Sequence, residues 1–181
     1  MSAPTPATSP DPRYPVGPYA RIEPTPERRE AWLATLEALP DRLRDAVGDL
    51  DDARLDTPYR DGGWTVRQLV HHVADSHVNA YIRTMLALHE EGRTTGLYDQ
   101  DRWAAGPFPR TGPIEPSLTL LDGLHARWTA TLRAVDAPAF ERTIQHPDWG
   151  TLSVGDLLCL YDWHSRHHLA HIMALRERNG W

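Results

Sequence analysis

The chain contains no lysine: all 19 of its basic residues are arginine. Schiff-base chemistry, a phosphate-loop lysine and a lysine general base are excluded together. Cysteine occurs once, at Cys159. Neither an intrachain disulfide nor a cysteine-rich zinc site can form from it. It lies in the run Leu157-Leu158-Cys159-Leu160, the setting of a packing residue rather than a reactive thiolate. No run approaches 18 apolar residues, so no membrane span is expected. The N-terminus lacks a charged segment followed by an apolar one, so no secretion signal is expected and a cytoplasmic location is the default. An excess of positive charge is also missing. With 25 acidic residues the formal charge is −6, which removes a global field for nucleic acid.

What the chain has in quantity is histidine, ten residues, and tryptophan, seven, within a length of 181 that suits one sizeable domain. Of its 16 prolines, half fall at or before Pro26. Residues 1–24 are therefore expected to form a proline-rich leader, extended or disordered at its start, with the segment from Tyr14 to Tyr19 lying along the domain surface. Residues 25–181 form the domain proper.

Four long helices are expected. Thr25 caps the first, with Pro26 at its first position and Glu27 in its first turn. Trp32, Leu36, Leu39, Leu43, Val47 and Leu50 recur along it at spacings of three and four, and Pro40 should kink it. The second opens on the capping box Thr65-Val-Arg-Gln68 and runs to about Glu91. The third begins near Ser117, carries Leu118, Leu121, Leu124, Trp128, Leu132 and Val135, and is stopped by Pro138. The fourth opens at Ser153-Val-Gly-Asp156 and ends at Asn179-Gly180. Asp148-Trp149-Gly150 reads as a turn of a small hairpin. Residues 92–116, with four prolines, form a loop long enough to be the crossover of an all-α four-helix bundle.

Seven histidines fall in two places. His71, His72 and His77 lie on the second helix; His164, His167, His168 and His171 lie on the fourth. Residues four apart on a helix differ by about 40° around the axis and about 6 Å along it, so either pair, His164/His168 or His167/His171, can hold one ion. His164 and His168 fall in the middle of the stripe formed by Leu157, Tyr161, Ile172 and Leu175. His167 lies about a quarter turn from its centre, with His171 nearer the edge. The phase favours His164 and His168 as ligands. The competing reading is a set of hydrogen-bonded core histidines, but two imidazoles on one core-facing stripe are costly to bury without partners. On the second helix His77 lies closest to the apolar direction, while His72 shares the row of Leu69 and Ser76; periodicity alone does not choose His72 there.

Two segments carry a resemblance. The first is Leu55-Asp-Thr-Pro-Tyr-Arg-Asp-Gly-Gly-Trp-Thr-Val-Arg-Gln-Leu-Val-His-His-Val-Ala-Asp-Ser-His77. The second is Leu160-Tyr-Asp-Trp-His-Ser-Arg-His-His-Leu-Ala-His-Ile172. With Tyr14-Pro-Val-Gly17 and Gly180-Trp181 they resemble the YfiT branch of the DinB-like superfamily, over residues 14–181. The resemblance implies a four-helix bundle with a long crossover between the second and third helices. It implies one divalent metal per subunit, zinc or nickel, held by His72, His164 and His168. His72 is the histidine eight residues after Trp64 and before Val73-Ala74-Asp75. Branch members are described as metal-dependent hydrolases. Others in the wider group are transferases or isomerases that use a low-molecular-weight thiol of the bacillithiol or mycothiol type. A small-molecule substrate, a homodimer and no nucleic-acid partner are also implied.

Three histidines leave a tetrahedral ion one open position, where water can ionise near neutral pH or a thiol can bind as thiolate. A non-catalytic metal-binding bundle is the third alternative. Asp75, Ser76, Asn79 and Asp162 lie near the ligands and could orient an imidazole, though a solvated helix face is the plainer role for each. Arg67, Arg83 and Arg166 could receive a substrate carboxylate, with surface solvation again the plainer role. Trp32 and Trp128 are expected in the core, and Trp64 as a staple before the second helix. Trp103 and Trp149, in loops, could line a pocket.

Overall fold

Three of the four expected helices start at the caps read from the sequence. The structure, a computed structural model, describes residues 11–181, and the expectations for residues 1–10 lie outside the described residues. Helix α1 spans Pro26–Val47, with the Thr25 hydroxyl accepting from the Arg28 N–H. A short helix α2, Asp52–Leu55, follows. The Thr65/Gln68 capping box opens α3, Val66–His89. Helix α6 spans Glu115–Ala134, two residues earlier than expected because Pro116 is tolerated in a first turn. The Ser153/Asp156 box opens α7, Val154–Asn179, and Gly180 closes it in the left-handed conformation. These two boxes satisfy N–H groups that a helix start otherwise leaves open.

The directions of the helices follow from their contacts. Arg67 of α3 donates to the Gly112 carbonyl just before α6, and further along His77 meets His125, so α3 and α6 run parallel. Arg44 of α1 pairs with Glu115 and Asp122, while Arg133 pairs with Glu30 and Glu37, so α1 and α6 are antiparallel. Residues His72 and Ser76 of α3 face His168 and His164 of α7, an antiparallel pairing. Helices α1, α3, α6 and α7 form the bundle, with α1 and α3 each packed between α6 and α7. The connection from α3 to α6 joins parallel neighbours and so must return along the bundle, which makes it a crossover. It is not a bare loop. It contains α4, Gln100–Ala104, and α5, Pro107–Thr111, both packed on α3. Strands β1, Thr143–His146, and β2, Gly150–Ser153, form the expected hairpin, with Ile144 opposite Leu152. Before α4 the crossover hydrogen-bonds to this hairpin: the Thr95 N–H donates to the Gln145 carbonyl, and the Gln145 N–H to the Arg93 carbonyl.

Two apolar clusters fill the bundle. One gathers Leu36, Ala80, Trp128 and Tyr161; the other gathers Leu39, Ala74, Leu121 and Leu169. Between them, at the same height on each helix, lie Ser76, His77, His125, His164 and His168. Trp32, Trp128 and Cys159 are core residues, as expected. Among the described residues no helix is long and apolar enough to cross a membrane.

The described part of the leader, residues 11–24, is tied to α7. Arg21 forms an ion pair with the buried Asp156, the Trp163 indole N–H donates to the Gly17 carbonyl at 3.0 Å, and Tyr19 packs on Trp163 and Trp149. Pro24 sits so close to Gly155 that a Cβ there would lie 2.7 Å from the proline Cγ. Alanine normally favours a helix over glycine by about 0.5–1 kcal/mol, but here the rigid ring must be displaced. Gly155→Ala is expected to destabilise by about 1–3 kcal/mol, read as a lower urea midpoint. A midpoint at or above that of the unsubstituted protein would contradict this packing.

Candidate metal centre

The histidines on three helices are joined by hydrogen bonds whose directions follow from one end. Pro40 has no N–H, so the Leu36 carbonyl, four residues earlier, lacks its intrahelical donor. His125 Nδ1 lies 2.6 Å from that carbonyl oxygen. A carbonyl only accepts, so Nδ1 carries the proton and the Nε2 of neutral His125 is an acceptor. His77 Nδ1 lies 2.9 Å from it and therefore donates. His77 Nε2 in turn accepts from His164 Nδ1 at 3.1 Å. The ring centroids of His77 and His125 stand 5.0 Å apart and their planes differ by 21°. The result at the end of the run is a His164 with its proton on Nδ1 and a lone pair on Nε2, 3.3 Å from the Ser76 hydroxyl.

That ring belongs to a group of three. One ring nitrogen from each of His72, His164 and His168 lies within 4.8 Å of the others. A second group, His167, His168 and His171, meets the same limit and shares His168. The first joins α3 to α7; the second lies on α7 alone. Burial sets the protonation of both. It pushes His72 down to about 4, with the nearby His167 adding to the effect, and His164 and His168 well below the usual imidazole range. His125, His167 and His171 are each pushed down to about 4, and His77 well below the usual range, again first by burial. The imidazoles are neutral at pH 7 and offer lone pairs.

The other expected residues sort by what they touch. Ser76 is the one of the four orienting candidates that touches the group. Asn79 donates to the Asp75 backbone carbonyl, Asp162 is engaged by Arg166, and burial raises Asp75. His77, favoured by phase on the second helix, meets His164 from the core side, while His72 meets it from the other side. His167 and His171, placed off the apolar stripe by phase, are nonetheless buried: Trp163 stacks on His167 and Tyr59 packs on His171, and the leader adds Tyr14 near His167 and the Arg13 carbonyl 3.4 Å from His171 Nε2. His125 was missed. Leu124 stands on the expected stripe of the third helix, yet it is only half-buried and His125 is fully so. The signal was present, because 121, 125, 128 and 132 keep the three- and four-residue spacing with histidine in the series.

The three histidines open onto a cavity of about 630 Å³. Trp64, Tyr98, Trp149, Tyr161 and Trp163 contribute to its walls. Burial pushes the Tyr98 hydroxyl up to about 12 and the Tyr161 hydroxyl upward as well, so both are hydrogen-bond donors at neutral pH. Trp149 thus lines the cavity as expected. Trp103 stays about half exposed beside Tyr98, and Trp64 packs on His72 at a tilt, with ring centroids 4.6 Å apart.

A family model for the DinB superfamily matches residues 35–172. The chain belongs to the DinB superfamily. It is 46% identical over 172 residues to a Bacillus cereus protein named "Putative metal-dependent hydrolase", covering 94% of this chain and 99% of that one. Bacillus anthracis proteins bearing that name match to the same extent. Among solved structures, YfiT from Bacillus subtilis, described as a "probable metal-dependent hydrolase with an unusual four-helix bundle topology", superimposes with a TM-score of 0.90 at 46% identity, over 94% of this chain and 98% of that one. A mycothiol-dependent maleylpyruvate isomerase shares the fold, with a TM-score of 0.60 at 16% identity over 77% of this chain and 60% of that one.

Two measurements on metal-free protein check this geometry. Long-range ¹H–¹⁵N correlation of the imidazoles is expected to place the proton on Nδ1 in His125, His77 and His164; a proton on Nε2 of His77 would break the run. The second concerns acid. These histidines titrate near 6.5 when unfolded and burial lowers them in the folded chain, His72 and His125 to about 4, so below about pH 6.5 the unfolded chain binds more protons. Stability is therefore full above about pH 6.5 and lost as pH falls toward 4. The urea midpoint is expected to drop steeply between pH 7 and 5, by several protons per unfolding event, and a flat midpoint would contradict the burial described.

Proposed function

We propose that this superfamily member is a metal-dependent hydrolase in which His72, His164 and His168 hold one divalent ion, zinc or nickel, and act on a small molecule in the adjoining cavity. The observation that carries this reading is the convergence of three neutral imidazoles from two helices, His72 and His168 buried and His164 half-buried, with one tautomer set by the run from Leu36. The donor set fits such an ion. Nitrogen ligands without a carboxylate suit zinc and nickel better than calcium or magnesium. Buried imidazole nitrogens without a partner are unfavourable; among the described residues His168 Nδ1 is one, as are His167 Nδ1 and His171 Nδ1 of the second group, so the two groups are alike in this respect. The group on α7 alone lacks the bracing that the second helix and the relay give the first, so the first is preferred. The names of the 46% identical relatives support the same class.

An ion bound there supplies Lewis acidity at an open position, for water in a hydrolase or for a thiol in a transferase. The chain's own residues do the rest. His125 and His77 hold the proton on His164 Nδ1 and keep its ring in place. The hydroxyls of Tyr98 and Tyr161, kept protonated by burial, are available to donate to a substrate oxygen. Leu157, Leu160, Trp149 and Trp163 line the space and limit water. Cys159 is buried in the core and burial raises its thiol, so a thiol reactant would have to come from outside the chain.

Protein purified without chelator is expected to carry about one equivalent of zinc or nickel. His164→Ala and His168→Ala are each expected to lose it under competition with a chelator. His77→Ala and His125→Ala are expected to weaken it by about 10–100-fold, and metal retained unchanged in His164→Ala would overturn the assignment. Hydrolase and thiol transferase separate on one assay. Conjugation of monochlorobimane that depends on added bacillithiol, with no hydrolysis of ester or amide panels, would replace the hydrolase reading with the transferase. A metal-loaded protein inert in both would leave a binding bundle. Light scattering reads the implied homodimer as twice the 20.5 kDa chain mass.

A further inference from the structure

Of the three arginines with a claim on an anionic substrate, two are already matched. Arg67 is buried, but its guanidinium meets Asp52 at 2.7 Å, Asp56 at 2.6 Å and the Gly112 carbonyl at 3.0 Å. Arg166 is largely exposed and pairs with Asp162 at 2.7 Å. Arg83 differs from both. It is 8% exposed and lines the cavity, and among the described residues it forms no ion pair within 4.0 Å. Its Nη2 donates to the Gly96 carbonyl at 3.2 Å, which uses one of the five N–H groups of a guanidinium.

A buried cation without a counter-charge is unfavourable unless something supplies one. Arg83 faces the same space as the histidines. Seven residues separate it from Ser76, two turns of helix, so both lie on one face of α3 about 10 Å apart along the axis. Ser76 in turn touches His164. Tyr161 stands between: its ring lies 5.5 Å from that of His164, and the Arg83 guanidinium beside it opposes the effect of burial on its hydroxyl.

We propose that Arg83 is the anion receptor of this cavity and that the substrate carries a single carboxylate, bound there while its reacting group sits at the histidines. The inference rests on the cavity being the active site. A planar guanidinium fork matches a carboxylate bidentately. One negative charge is favoured over two because the other cation on the cavity wall, Arg60, already donates to the Tyr59 hydroxyl at 3.0 Å and the Asp61 carbonyl at 2.9 Å, while Asp101 and Asp148 add negative charge there. The body of the substrate is apolar, to suit Leu97, Leu152, Leu157 and Trp149.

The test uses metal-free full-length protein, so that no ion competes for the anion. Benzoate is titrated by calorimetry, with benzamide as its uncharged counterpart and inorganic phosphate as the dianion. Benzoate is expected to bind saturably and at least about tenfold more tightly than benzamide or phosphate. Arg83→Met is expected to remove that preference while keeping the melting temperature at or above that of the parent, since an unmatched buried charge is lost. Arg83→Lys, which keeps the charge without the fork, is expected to fall between and serves if the methionine variant fails to fold. Equal binding of benzoate and benzamide, no benzoate binding, or benzoate binding unchanged in the variants would overturn the proposal. Metal content is measured separately on protein purified without chelator. Benzoate binding that depends on Arg83 in a protein that takes up no metal would uphold the receptor and sink the hydrolase reading. One metal per chain with no such binding would do the reverse.

Discussion

The hydrogen bond from His125 to the Leu36 carbonyl is the constraint from which the rest of the bundle interior follows. A helix carbonyl is normally occupied by the N–H four residues on, and here that residue is Pro40. The proline thus does more than break a ladder. It creates a buried acceptor on α1 that must be satisfied from another helix. Because a carbonyl cannot donate, every later link has one direction, and a choice made by a proline on α1 decides which nitrogen of His164 on α7 keeps its lone pair.

The same layer sets the height of the helices. Leu36, His77, His125 and His164 come from α1, α3, α6 and α7, one from each bundle helix. A slide of one turn, about 5.4 Å, in any helix would break at least one link and strand a buried nitrogen. The apolar clusters on either side have no such demand, since leucines against leucines pack in several registers. The leucines and tryptophans supply the burial that drives folding; the imidazole layer selects the alignment. That division explains why the core is split where it is, between Leu36 and Leu39, Ala74 and Ala80, Leu121 and Trp128, Tyr161 and Leu169.

Much of this was legible in the sequence because it is local. Caps at Thr25, Thr65 and Ser153 and stripes at helical spacing located the bundle helices. The phase of α7 put His164 and His168 inward, and the structure brings them together with His72. What phase could not decide was set by distant contacts. His72 lies off the apolar direction of α3 because that face meets α7 and the cavity instead of the core. His171 is buried by Tyr59 and the leader, and His167 by Trp163 with the leader beside it, and contacts from outside α7 leave no trace in its periodicity. Arg67 and Arg83 look alike on one helix. They differ because Asp52 and Asp56 reach the first and no carboxylate reaches the second. His125 was readable in principle, as a histidine in a leucine series, but its significance depends on Pro40 some 85 residues earlier in the chain. Of the two short helices of the crossover, α5 was hidden by its prolines, which suit first turns as well as loops, and α4 is little more than one turn, capped by Asp99.

A count of donors and acceptors shows why a site belongs at the end of this run. A neutral imidazole has one donor and one acceptor. A run of them that begins on a carbonyl uses each donor to satisfy the acceptor before it, and so always finishes with one lone pair unspent. Inside a sealed core that lone pair would be an uncompensated cost. The run can be buried along its length only if its last member reaches a place where a cation or a donor can meet it. His164 does so, between Ser76 and the open side where His72 and His168 bring further lone pairs. Arg83 presents the reverse deficit on the same cavity: a positive charge that meets one backbone carbonyl and, among the described residues, no carboxylate. One wall lacks a cation and the other lacks an anion, and both deficits face the cavity, where a ligand can enter.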